Sequence, residues 1–215
     1  MKMIRWATLL LGLVLAGQAT ATAQIADTII IDGKEYALNT NPLDGYLKGR
    51  PDVIPKDASR SSANWRGYVA TWEIKDAALV LVRMDVRFYD TDSREERTQN
   101  IREALFPDQS RVQATWYSGA LIIPDGKMTQ YVHMGYGSTY SHYRIYRIDK
   151  GRVIDTKSLS EKEFIAYREL KFAEFKKTEA YRQALADTKK DAGGMSDAEI
   201  DDFFMSFFAE EYLAL

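Results

Sequence analysis

Two periodicities divide the chain. Between residues 65 and 89 apolar positions alternate with polar ones. In Trp65–Ile74 (WRGYVATWEI), Tyr68, Ala70, Trp72 and Ile74 share one face, and Trp65, Gly67, Val69, Thr71 and Glu73 the other. Period two with aromatic and β-branched residues predicts a strand. After a Lys75-Asp76-Ala77 corner, Ala78, Val80, Val82, Met84, Val86 and Phe88 form an apolar face opposite Arg83, Asp85 and Arg87. One dry and one wet face is the signature of an antiparallel sheet.

Weaker strand signals flank this block. Thr28–Asp32 and Glu35–Leu38 surround Asp32-Gly33, a hairpin turn signal. Asn39 to Asn64 is loop-like and holds three of the five prolines. Beyond the charged turn Asp90–Arg97, the pattern predicts a short helix over Thr98–Leu105. Strands are expected at Arg111–Trp116, Gly119–Ile123, Met128–Met134, His142–Asp149 and Arg152–Asp155, with turns at Pro124-Asp125-Gly126 and Lys150-Gly151.

After Ser160 the period changes. Ser160 and Glu163 have capping-box spacing, and so do Ser196 and Glu199. Phe164, Ile165, Phe172 and Phe175 fall within an arc of about 100°, the width of a core-facing stripe, with Tyr167 beside it and Leu170 off it. A second helix is expected over Thr178–Lys189, with Tyr181 and Leu185 facing in. Asp191-Ala-Gly-Gly194 reads as a break. The last helix carries Ile200, Phe203, Phe204, Phe207, Phe208, Tyr212 and Leu213, an apolar density that must dock on the domain or on a partner. Strands followed by helices predict an α+β fold: a mostly antiparallel sheet, curled or a small sandwich, then two or three helices. The expected divisions are 1–23, a β-rich domain over 24–157 and a helical extension over 158–215.

Residues 1–23 read as a cleavable export signal. A basic start (Lys2, Arg5) precedes the apolar run Trp6–Gly17, and Ala19-Thr-Ala21-Thr-Ala23 offers peptidase sites after Ala21 or Ala23. The apolar run is shorter than the roughly 20 residues that a membrane-spanning helix needs. The chain has no cysteine, so neither a lipid-modified thiol nor a disulfide is available. Cleavage after Ala23 leaves 192 of 215 residues, and a chain of that size buries about 70% of its unfolded surface, enough for a core without staples. Losing Lys2 and Arg5 moves the net charge from −2 to −4. That balance argues against nucleic acid and anionic membrane surfaces as partners. The expected location is periplasmic or extracellular, with no membrane anchor after cleavage.

Candidate chemistry concentrates in Tyr131–Tyr143 (YVHMGYGSTYSHY), which holds both histidines, His133 and His142, four tyrosines and two glycines. Tyrosine and histidine combine an apolar body with a polar tip, as sites for polar ring-shaped ligands do. His133, Tyr136, Ser138, Tyr140 and His142, with Trp116, are the ligand-binding candidates; a hairpin with tyrosines packed over the sheet is the structural alternative. Two histidines without cysteine or an HExxH motif make a poor metal set, and no cofactor is expected. Neither Ser118 nor Ser138 lies in a nucleophile elbow. A triad of Ser138, His133 and Asp85 has no motif behind it. Glu73 and Asp85, on neighbouring strands near Arg83 and Arg87, read as surface ion pairs. Trp72 is expected in the core; Trp65 and Trp116 either line a pocket or cap the sheet.

Asn64–Ile74 (NWRGYVATWEI), Leu79, Leu81, Leu105-Phe106-Pro107, Ala114–Gly119 and Tyr131–Tyr136 together resemble a pattern of uncharacterised bacterial proteins. The resemblance covers about residues 45–155 and implies that the β block is one module and the helical tail an addition. It implies no activity and no site residues. The sequence thus points to a non-enzymatic envelope protein that binds a glycan or a protein. The alternative is a cell-envelope hydrolase with His133 or His142 as general base, which requires a carboxylate within hydrogen-bond reach of the imidazole in a cleft.

Overall fold

The computed structural model describes residues 23–191 and 194–215. Residues 1–22, which hold nearly all of the expected export signal, and Ala192 and Gly193 of the predicted break lie outside the described residues. Nine strands form one open sheet: β1 (Asp27–Ile31), β2 (Lys34–Leu38), β3 (Val69–Lys75), β4 (Ala78–Tyr89), β5 (Glu96–Asn100), β6 (Val112–Gln113), β7 (Gly119–Gln130), β8 (Thr139–Asp149) and β9 (Arg152–Ser160). Their order is β2-β1-β3-β4-β9-β8-β7, with β5 and β6 also paired to β4. β1 and β3 run parallel, and the other pairs are antiparallel. The fold is α+β, as the change of period predicts.

The sheet curls. Just beyond β2, the Asn39 amide donates to Ile122 O of β7 at 2.8 Å, so the two ends of the strand order approach each other. Thr40, which is buried, accepts from the Ile122 amide through its hydroxyl at 2.9 Å. Inside the curl lie Ile29, Leu38, Trp72, Leu81, Met84 and Leu121. The opposite face of β7 and β8, with Ala120, Ile122, Tyr143 and Ile145, is covered by helices. This is why Gly119–Ile123 is a continuous apolar run: it is buried on both sides.

The helices are α1 (Asp44–Leu47), α2 (Arg102–Leu105), α3 (Glu161–Phe175), α4 (Glu179–Asp191), α5 (Asp197–Phe207) and α6 (Ala209–Tyr212). Both predicted capping boxes form, at Ser160–Glu163 and Ser196–Glu199. The Asp32-Gly33 turn also forms, with φ of 51° and 76°, the left-handed pair that a tight hairpin requires. The last helices dock on their own sheet: Ile200, Phe204, Tyr212 and Leu213 are fully buried against β7 and β8.

Several predicted elements are corrected. Glu96–Asn100 is a strand on β4, and only Arg102–Leu105 is helical. The wholly exposed side chains of β5 carry no alternation from which a strand is readable. β7 runs through Pro124-Asp125-Gly126, with a register shift between Asp125 and Met128, and ends at Gln130. β6 keeps only two residues of Arg111–Trp116. In β4, Thr71 pairs with Arg83 but Trp72 pairs with Leu81, so Val82 is an inserted residue. Such a bulge inverts side-chain parity, and Leu79 and Leu81, not Val80 and Val82, face the core with Met84 and Val86. On α3, Ile165 is exposed, while Tyr167 packs against the core.

Candidate functional site

Beneath one end of the sheet lies a buried ion pair. Arg66 Nη1 is 3.1 Å from Asp27 Oδ1, with side-chain exposures of 2% and 0%. Asp27 also accepts from the Ala70 amide (3.0 Å) and from Trp72 Nε1 (3.2 Å). Burial pushes its carboxyl up from the usual range, against the pull of Arg66 and these donors. The parallel β1–β3 pairing places Asp27, at the head of β1, beside the segment that leads into β3.

Arg66 extends this network. Its Nη2 donates to Ile25 O at 2.9 Å and reaches Tyr136 Oη at 3.5 Å. Tyr136 donates to Asn41 Oδ1 at 2.9 Å. The guanidinium also lies 4.9 Å from the Tyr68 ring centroid. Tyr68 donates to Asp44 Oδ1 at 2.6 Å, and burial together with the Asp44 charge pushes its phenol far up. Glu210 of α6 has its pKa pushed up to about 7 by burial, then by the charges of Asp44 and Glu211, with the nearby Asn41 amide pulling it partly back. The helical tail thus places a buried carboxyl within the electrostatic reach of the same polar network.

Above the ion pair is an open groove of about 550 Å³, lined in part by Asp44, Lys48, Arg60, Trp65, Arg66 and Tyr68. Each residue of Trp65-Arg66-Gly67-Tyr68 has a different task. Trp65 is 63% exposed on the groove, whereas Arg66 and Tyr68 are buried beneath it. Gly67 has φ of 79°, and a Cβ there would come within 3.1 Å of Arg60 Nε and 3.3 Å of Ile54 Cγ2. Glycine therefore supplies both the left-handed turn and the room for Arg60. The neighbouring Asn64 Oδ1 is buried without a hydrogen-bond partner.

The residues expected from sequence are dispersed. Tyr136 joins the Asp27–Arg66 network. Trp116 stacks on Phe106 and tilts against Tyr46, and its Nε1 donates to Pro42 O at 2.9 Å, which makes it a packing residue. Ser138 accepts from the Val132 amide and closes the β7–β8 loop. Tyr140 packs edge-on against Tyr143 at the helix-covered face, and its amide donates to Tyr143 Oη. His133 is exposed and pairs with Tyr131 Oη at 2.9 Å, while His142 is exposed beside Ser141 Oγ at 3.3 Å. Among the described residues neither imidazole has a carboxylate at hydrogen-bond distance, and no group of three His, Asp or Glu side chains is placed to hold a metal. Glu73 and Asp85 do not face each other: they pair with Val80 and Val69, and Asp85 holds Arg83 at 2.9 Å.

Asp27, Asp44, Arg60 and Arg66 escaped sequence reasoning. Arg66 and Tyr68 stood only within the WRGY stretch, and nothing local marks Asp27 as the partner of a residue 39 positions away. Compared with known proteins, the chain matches no family model, no curated protein and no solved structure. No helix among the described residues is long and apolar enough to cross a membrane.

Proposed function

We propose that this chain is an exported, non-enzymatic binding module that holds a glycan in the groove beside Trp65. The observation that carries the reading is Trp65 itself: a large aromatic, 63% exposed, in a groove whose floor is fixed by a buried ion pair. An exposed indole on a rigid base presents a flat apolar face with polar groups around it, the combination that seats a sugar ring. Of the carboxylates at the groove, Asp27 is buried in its pair with Arg66, and Asp44 accepts from the Tyr68 hydroxyl. A peptide has no free strand edge to extend there, because β3 is paired on one side with β1 and on the other with β4.

The test is a glycan array probed with the mature chain, followed by titration of the captured glycans. Trp65→Ala should abolish binding, and His133→Ala and Tyr140→Ala should leave it intact. An array without a binder, or binding that depends on His133 and Tyr140 and ignores Trp65, rejects the reading. Export is checked by the mass of the protein released from the producing cell, expected to begin at Thr22 or Gln24.

A further inference from the structure

The charge around the groove is not that of the rest of the chain. Four cations line it, Lys48, Arg50, Arg60 and Arg66, against one lining carboxylate, Asp44. Arg66 is neutralised from below by Asp27, so the lining keeps a surplus of two positive charges on a chain whose net charge is −2. Arg50 turns back onto its own helix, with its guanidinium 4.2 Å from the Tyr46 ring centroid. Lys48 and Arg60 are exposed and make no ion pair among the described residues. Asp44, whose charge is already counted in that surplus, makes no ion pair with either among the described residues, and its Oδ1 accepts from Tyr68 at 2.6 Å.

We infer that the groove selects an acidic glycan, a uronic-acid oligosaccharide whose ring stacks on Trp65 and whose carboxylate is held by Arg60 and Lys48. The inference rests on the groove reading above and adds the charge class. Arg60 offers a planar donor fork suited to a carboxylate, and Lys48 adds a point charge. The absent Cβ at Gly67 lets the Arg60 stem lie across the chain beside Trp65, so stacking face and cation belong to one surface. One exposed indole is a platform for one ring, whereas a run of stacked bases needs several in series.

The mature full chain is titrated, by calorimetry and tryptophan fluorescence, with tetragalacturonate, tetramannuronate and a hyaluronan tetrasaccharide. Cellotetraose, a sulfated tetrasaccharide, an oligonucleotide and a polyaspartate peptide are the comparison ligands. At least one uronide should bind, more weakly as salt is raised. Arg60→Gln and Lys48→Gln, both at exposed positions, should each weaken it about tenfold. Trp65→Ala should abolish binding, and Trp65→Phe should restore part of it. Cellotetraose binding equally well, with no effect of Arg60→Gln, overturns the acidic class and leaves the groove reading standing. Preference for the sulfated sugar, the oligonucleotide or the peptide overturns it in favour of that ligand. No response to any saccharide overturns both.

Discussion

Replacing Asp27 by Asn is the most informative single perturbation of the fold. The change keeps the size of the side chain and removes one charge. Arg66 stays cationic, with only 2% of its side chain exposed, and loses its counter-ion. Breaking a buried pair from one side costs about 3–5 kcal/mol, because the remaining charge is left uncompensated. The amide adds a second fault. Asp27 Oδ1 accepts from Arg66 and Ala70, and Oδ2 accepts from Trp72. Whichever way the amide is turned, its NH2 meets one of these donors. With a urea slope of about 2 kcal/mol per molar, the midpoint should fall by roughly 1.5–2.5 M. Circular dichroism and tryptophan fluorescence, followed through the same titration, measure it. The double variant Asp27→Asn with Arg66→Met removes both charges and should be more stable than Asp27→Asn alone, since no buried charge is left uncompensated and the amide oxygen still accepts from the Ala70 amide. The reasoning is refuted if Asp27→Asn stays within about 1 kcal/mol of the parent, or if the double variant is the least stable of the three.

Glu210 gives a pH-dependent counterpart. Its folded pKa of about 7 lies above the ordinary carboxyl value, so the native state binds the proton more tightly than the unfolded chain. The stabilisation from that proton is complete below the unfolded pKa and is lost as pH rises through 7. Glu210→Gln should therefore raise stability by about 1–3 kcal/mol at pH 8 and leave it nearly unchanged at pH 4.5, measured by urea titration at both pH values; equal effects at the two would contradict the assignment. Ending the chain at Met195 removes Ile200, Phe204, Tyr212 and Leu213, each with no exposed surface. At about 1.5–3 kcal/mol per side chain the loss rivals the whole stability of a domain, and a melt without a cooperative transition is expected. An unchanged Tm would show the tail to be dispensable.

Elements whose information is local were legible. The Asp32-Gly33 hairpin, both capping boxes and the inward set Tyr68, Ala70 and Trp72 follow from a few adjacent residues and form as read. The errors share a cause, which is tertiary context. The Val82 bulge is set by pairing with β3 and inverts half of a correctly located strand. The exposed β5 has no hydrophobic signature and exists because β4 offers it an edge. The site was harder still. Aromatic and histidine density drew attention to Tyr131–Tyr143, but composition does not say where side chains point. Of that stretch only Tyr136 reaches the Asp27–Arg66 network. Asp27 opens an ordinary strand, and only folding brings it to Arg66.

The helical tail and the groove belong to one structure, for two independent reasons. The first is apolar: α5 and α6 bury their aromatic face on Ala120 and Ile122, the back of strand β7 whose front, Leu121 and Ile123, packs inside the curled sheet. Movement of the tail would uncover the strand whose Ile122 carbonyl and amide hold Asn39 and Thr40. The second is polar: buried Glu210 feels the Asp44 charge and the Asn41 amide, the Asn41 side chain accepts from Tyr136, and Tyr136 meets Arg66. Both routes converge on Asn39–Asp44, the short segment that leads into the α1 wall of the groove. A ligand that rests on Trp65 therefore sits on a floor braced from the far end of the chain. It follows that loss of the tail should weaken binding through the groove wall as well as through stability, and Glu210→Gln, which keeps the helix in place, separates the two.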